Sequence, residues 1–189
     1  MKYLFLFFFS LVFAADEYAP LNRTKDRQVD IKHIKINVSV DLKTKSVFGY
    51  VTHTLSPLKN ELKSFTLDGD DMIIRRVRMK DQDLKFNHSG NKIHIELSNT
   101  IGWNDTVDVR IDYSAYPRKG TYFFGPDETY PDQPWQAWTQ GETEDNHHWV
   151  PLYDYPNERA TFETILTVDE RFQAVSNGEL VSLKKNENG

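Results

Sequence analysis

From Val29 to Tyr113 apolar and polar residues alternate with a period of two, in short blocks separated by turn-forming residues. Ile34, Ile36, Val38, Val40 and Leu42 fall on one side of an extended chain, with Lys35, Asn37, Ser39 and Asp41 on the other. Successive side chains of a strand point to opposite faces, so this block predicts a half-buried strand. Val47, Gly49, Val51, His53 and Leu55 predict a second, whose other face is partly covered by Phe48 and Tyr50. Pro57, which has no N–H for a ladder, ends it. Further strands are expected at Ser64–Leu67, Met72–Met79, Leu84–Asn87, Lys92–Leu97 and Val107–Tyr113. Asp68-Gly69-Asp70 and Ser89-Gly90-Asn91 supply turns between them. No stretch carries a convincing helical period. Short strands at this spacing predict an antiparallel sandwich or a saddle-shaped sheet.

The pattern changes after Pro117. Three of the four tryptophans, several prolines and many acids lie between Tyr122 and Tyr155, and alternation is lost. That segment is expected to be shaped loop with one helical turn around Gly141–His148. Alternation returns at Ala160–Val168, and Phe172–Val175 and Glu179–Leu183 read as strands around an Asn177-Gly178 turn. Val181–Lys185 followed by Asn188-Gly189 resembles the first arm and turn of a hairpin without its second arm. The expectation is a chain cut short of its natural terminus.

Lys2, the apolar run Tyr3–Phe13 and the small residues Ala14 and Ala15 have the layout of a secretory signal. The run is too short for a bilayer span, which takes about 20 apolar residues. The predicted organisation is therefore a leader over residues 1–15 and one domain over 16–189, in a secreted, periplasmic or extracellular protein. A domain of this size buries about 70% of its unfolded surface and needs no covalent staples. With no cysteine, disulfides and thiolate chemistry are excluded. The net charge of −5 is spread along the chain. No concentrated basic surface of the kind that binds nucleic acid is present; Arg75, Arg76, Arg78 and Lys80 read as the wet side of a strand. Sequons occur at Asn22, Asn37, Asn87 and Asn104.

No self-sufficient catalytic set is found. There is no His-Glu-x-x-His helix, no Gly-x-Ser-x-Gly elbow and no phosphate-binding glycine loop. His147 and His148 are adjacent, whereas helical metal pairs are spaced to share a face. They read as one packed and one exposed imidazole, and no metal ligand is assigned, despite Glu144 and Asp145 nearby. Trp135-Gln136-Ala137-Trp138-Thr139-Gln140-Gly141-Glu142 is more informative. In an extended chain Gln140 and Glu142 project together, and Gly141 leaves room for a ligand or another backbone. A carboxylate there can hold an ammonium group, and the amide can hydrogen-bond a peptide backbone. Taken alone the signal is weak, since exposed Gln and Glu in a loop are usually just solvated.

The same region resembles the M1 zinc aminopeptidases, on the branch related to leukotriene A4 hydrolase and bacterial aminopeptidase N. The resemblance rests on Gln140-Gly141-Glu142, Glu144-Asp145-Asn146, Trp149-Val150-Pro151, Tyr153 through Thr161 and Ser176-Asn177-Gly178. Gly120-Thr121-Tyr122-Phe123-Phe124 and Tyr130-Pro131 are similar to the run that leads into them. It implies an all-β, antiparallel saddle-like β-sandwich that lies over a downstream zinc domain of the same protein. It implies that Glu142 holds the free α-amine of a peptide substrate and that Gln140 lines the same site, with Asp154 and Arg159 as structural anchors. It implies zinc in the full-length enzyme, with every ligand and every catalytic residue outside this chain, so that the chain alone is inactive. Where some branches carry cysteine between these two residues, Gly141 stands here.

Two rival expectations accompany this one. Trp135, Trp138 and Trp149 with Tyr122, Phe123 and Tyr130 could form a sugar-stacking platform on a secreted carbohydrate-binding or adhesion module, although burial is the commoner fate of tryptophan. The other rival is an M1-like scaffold that has lost catalysis.

Overall fold

The computed structural model describes residues 25–187. The predicted leader, the sequon at Asn22 and the Asn188-Gly189 turn lie outside the described residues.

Eleven strands run in chain order: β1 (Val29–Asp41), β2 (Ser46–Pro57), β3 (Leu62–Asp68), β4 (Met72–Met79), β5 (Gln82–Asp83), β6 (Lys85–Ser89), β7 (Lys92–Ile101), β8 (Val107–Ala115), β9 (Thr121–Phe124), β10 (Gln136–Thr139) and β11 (Thr161–Thr167). A 3-10 turn at Asn146–His148 is the one helical element among the described residues. The strands form a six-stranded sheet ordered β11-β1-β2-β8-β4-β5, a three-stranded sheet ordered β3-β7-β6 and a two-stranded ribbon of β9 and β10. No helix among the described residues is long and apolar enough to cross a membrane.

The core lies between the two larger sheets. Val38, Val51, Leu55, Val109 and Ile111 come from the six-stranded sheet, and Phe65, Leu67, Ile93 and Ile95 from the three-stranded one, all buried. Each such side chain contributes about 1.5–3 kcal/mol on transfer from water. The alternation in β2 follows from this packing: Val47, Val51, His53 and Leu55 are buried, while Phe48 faces solvent. In β1 the phase changes along the strand. Val29 and Ile31 are buried upstream, Ile36 and Val38 downstream, and the switch from odd to even positions occurs at a register shift between Ile31 and His33. One extra residue in a bulge turns the following side chains to the opposite face.

Three features depart from the sequence reading. The large sheet is mixed, because β11 pairs parallel to β1, with Ile34 opposite Phe162 and Val38 opposite Leu166. Alternation gives strands but not their direction. The strands expected at Phe172–Val175 and Glu179–Leu183 are not formed. Val175 and Val181 are 83% and 92% exposed, so these apolar residues have no facing surface among the described residues to bury them. Conversely, β9 and β10 lie inside the segment expected to be loop; four-residue strands are too short to display a period.

Candidate functional site

The ribbon of β9 and β10 sets the site. Trp138 sits opposite Tyr122 in the register, and their rings stack with centroids 4.7 Å apart; Phe124 stacks on the same indole at 6.2 Å. Trp135 packs against Gly125, and the Trp149 indole donates to Asn146 Oδ1 at 3.4 Å. Phe123 and Trp149 pack on the core, whereas Trp138 and Tyr130 stay 47% and 64% exposed, so the group is split between packing and open surface.

Beyond Thr139 the ribbon ends, and the Gln140 N–H donates to the Gly120 carbonyl at 3.0 Å. Gly120 has φ +73°, and a Cβ there would overlap the Asp145 carbonyl oxygen. Glycine is required on both counts. The chain then turns, with the Asp145 N–H donating to the Gly141 carbonyl at 3.0 Å. The close approach expected at Gly141 is real, but its partner is internal: a Cβ would strike the Asn146 carboxamide, so that side chain occupies the space foreseen for a ligand. Because β10 stops at Thr139, Gln140 and Glu142 are not alternate residues of one strand, as expected, but members of a short turn. Both are exposed. The neighbouring acids are engaged, Glu144 with Lys25 at 2.5 Å and Asp145 with Lys119 at 3.9 Å. Glu142 has no ion pair among the described residues. The turn therefore presents one uncommitted carboxylate.

Beneath the turn is a polar frame. Asp154 is 5% exposed and accepts the backbone N–H and ring Nδ1 of His147, both at 2.9 Å. Its own N–H donates to the buried Asp68 carboxylate at 3.0 Å. Asp68 and Leu152 exchange backbone hydrogen bonds of 2.7 and 3.0 Å, so the end of β3 holds the loop after the 3-10 turn. Asp68 is further paired with Lys92. Asp71 accepts from His148 Nδ1 at 2.8 Å and from the Arg118 guanidinium at 2.5 Å. Burial alone would raise the Asp71 pKa, but the hydrogen bonds from Arg118 and His148 outweigh it and hold the carboxyl below its ordinary value.

Asp154 thus acts as the expected anchor. Arg159 does not: its side chain is exposed, and the tie at that place comes from Glu158, which pairs with Arg27 at 2.5 Å and accepts the Ile31 N–H at 3.1 Å. A carboxylate can cap a backbone donor, which a guanidinium cannot. One of His147 and His148 was expected to be exposed; in fact both rings are enclosed, with side chains 13% and 9% exposed, because Asp154 holds the first and Asp71 the second. Asp68 reads as a turn residue in the sequence and Asp71 drew no reading, and nothing local marked either as a partner of a loop some eighty positions away.

Comparison with known proteins fits this architecture. The Peptidase M1 N-terminal domain matches residues 30–189. The chain is similar to an M1 zinc metallopeptidase from Deinococcus radiodurans, with a TM-score of 0.72 and 19% identity over 85% of this chain and 37% of that one. A form of that enzyme bound to a Tyr-Ser-Ala substrate gives 0.71 and 20% identity over the same shares, 85% and 37%. Leukotriene A4 hydrolase from Saccharomyces cerevisiae gives 0.64 and 18% identity, over 75% of this chain and 23% of that one. A nearly all-β architecture of mostly antiparallel sheets is what these folds share. The chain belongs to the M1 peptidase family, of which it carries the amino-terminal domain. It spans 37% of the length of the Deinococcus relative.

Proposed function

We propose that this chain is the substrate-anchoring domain of an exported zinc aminopeptidase, and that Glu142 holds the α-ammonium group of a peptide while Gln140 hydrogen-bonds its backbone. The observation that carries the reading is the uncommitted Glu142 carboxylate on a turn whose backbone is fixed by Gly120, Asn146 and Asp154. A fixed anion of this kind selects a peptide with a free amine over a blocked one, because a charge-assisted hydrogen bond needs the ammonium donor. In the related Deinococcus enzyme a tripeptide substrate is bound, which supports a peptide as the ligand here.

Zinc would belong to the downstream catalytic domain. The fit within this chain fails for a catalytic centre: no helix among the described residues can place two imidazoles one turn apart with a glutamate base beside them. No hydrolytic step is assigned to these residues, and the isolated chain is expected to hydrolyse nothing.

The test is Glu142→Gln in the full-length enzyme. Loss of one member of an enclosed charge pair costs about 2–5 kcal/mol. The specificity constant for free-amine peptides is therefore expected to fall by about a hundredfold or more, and discrimination against N-acetylated peptides should collapse with it. An unchanged rate and unchanged discrimination would remove the amine-anchoring role. For export, the measurement is the amino-terminal sequence of the mature protein, expected to begin near Ala15 or Asp16.

A further inference from the structure

We propose that Asp70, His147 and His148 form a second, non-catalytic site for a divalent transition metal of the zinc class. One ligand atom from each of the three lies within 4.8 Å of the others. The two imidazoles stack with centroids 4.5 Å apart and planes at 29°. Adjacent residues normally aim apart; here the 3-10 turn and two separate carboxylates rotate the rings into register.

The protonation pattern suits metal binding. His147 Nδ1 is 2.9 Å from Asp154 Oδ2, and His148 Nδ1 is 2.8 Å from Asp71 Oδ2. With Nδ1–H donating to a carboxylate, a neutral imidazole keeps its lone pair on Nε2. A carboxylate behind each imidazole is the outer-shell arrangement that fixes the tautomer of ligating histidines. Both carboxylates are enclosed, with side chains 7% exposed.

The local charge points the same way. Asp70, Asp71, Asp145 and Asp154 are four carboxylates around the two rings, and Arg118 and Lys119 are the two cations that reach them. Four minus two leaves two negative charges, which one divalent ion would balance. Asp70 is the open side of the cluster, its side chain 35% exposed, and gives an ion a path from solvent. Bond lengths of about 2.0–2.2 Å require the donors to close to about 3.5 Å. The half-buried Asp70 carboxylate, whose Oδ1 accepts the Asp71 N–H at 2.8 Å, would make that movement with Oδ2, held only by the long 3.9 Å contact to Arg118. Asp145 Oδ1, 4.0 Å from His148 Nε2, is placed to complete the shell, with or without water. Two imidazoles and carboxylate oxygen suit zinc, cobalt, nickel or copper, whereas calcium and magnesium take oxygen shells. A bound ion would tie the turn after β3 to the loop that carries Gln140 and Glu142.

The experiment strips the 189-residue chain with chelator and titrates it with Co²⁺, followed by visible absorption, and with Zn²⁺, followed by calorimetry. One ion per chain is expected, and at a hundredfold excess over Kd the Tm should rise by about 5 °C or more. Asp70→Asn and His147→Gln should each weaken binding at least tenfold, and Asp154→Asn by about 10–100-fold; Glu144→Gln should bind as the parent does. If His147→Gln loses its β-sheet circular dichroism, Asp70→Asn decides alone. Absence of saturable binding by the folded chain overturns the proposal, leaving the cluster as a set of hydrogen-bonded histidine–carboxylate pairs. Binding that survives Asp70→Asn at full strength overturns it too, because Asp70 would then not be a ligand of the ion.

Discussion

His53 Nε2 donates to the carbonyl of Pro151 at 2.9 Å, and through this bond the interior of β2 holds the loop beneath Gln140 and Glu142. The acceptor is a carbonyl, so the proton is on Nε2 and Nδ1 is bare. Nδ1 is buried without a partner.

The first prediction concerns acid. Burial lowers the His53 pKa from 6.5 to about 4, and the bond to Pro151 offsets this only in part. The unfolded chain therefore binds a proton that the folded chain refuses between those values. Stability is full above pH 6.5, declines as pH falls towards 4, and levels off below. At about 1.4 kcal/mol per pH unit the loss from this group is about 3 kcal/mol. Urea unfolding at a series of pH values checks it: His53→Gln should be less stable at pH 8 but show a shallower decline between pH 6.5 and 4.

A second prediction follows from Asp154. Its carboxylate accepts three hydrogen bonds, two from His147 and a longer one of 3.5 Å from Asn146. Asp154→Asn keeps the volume but removes the charge, and hydrogen bonds to a charged group contribute about 1.5–3 kcal/mol. A Tm lower by roughly 5–10 °C is expected by calorimetry. Asp154→Ala should cost more, because the His147 N–H would be left buried without an acceptor.

How far the sequence reveals this depends on range. The bounds of Met72–Met79 were legible to the residue, but its buried positions, Met72 and Ile74 and then Val77 and Met79, change phase at an irregularity between Ile74 and Arg76. The bulge at Ile31/His33 was not legible, because a phase change within one strand looks like a run of isoleucine and valine until a partner fixes the register. Gln140 and Glu142 stood out through their neighbours and a family resemblance, and the structure leaves both exposed. Their support was hidden. Asp68 to Leu152, Asp71 to His148 and His53 to Pro151 each join residues more than seventy positions apart, and local pattern carries no signal at that distance.

The last prediction separates the two glycines of the turn. Gly120 has φ +73° and faces the Asp145 backbone, which cannot move aside without breaking its bond to Gly141. Gly120→Ala combines a left-handed conformation, at about 1–2 kcal/mol, with a steric overlap that adds about 1–3 kcal/mol. At Gly141 the obstacle is the Asn146 side chain, which can rotate, so Gly141→Ala should cost the fold less. Rotation would, however, release the Asn146 bonds to Asp154 and to the Trp149 indole, and loosen the turn between Gln140 and Glu142. Gly120→Ala is therefore expected to show chiefly as a lower unfolding midpoint. Gly141→Ala should show chiefly as a raised KM for free-amine peptides in the full-length enzyme, with Tm changed by only a few degrees. The reverse ordering of the two Tm shifts would mean that the backbone at Gly120 yields more easily than the packed carboxamide at Asn146.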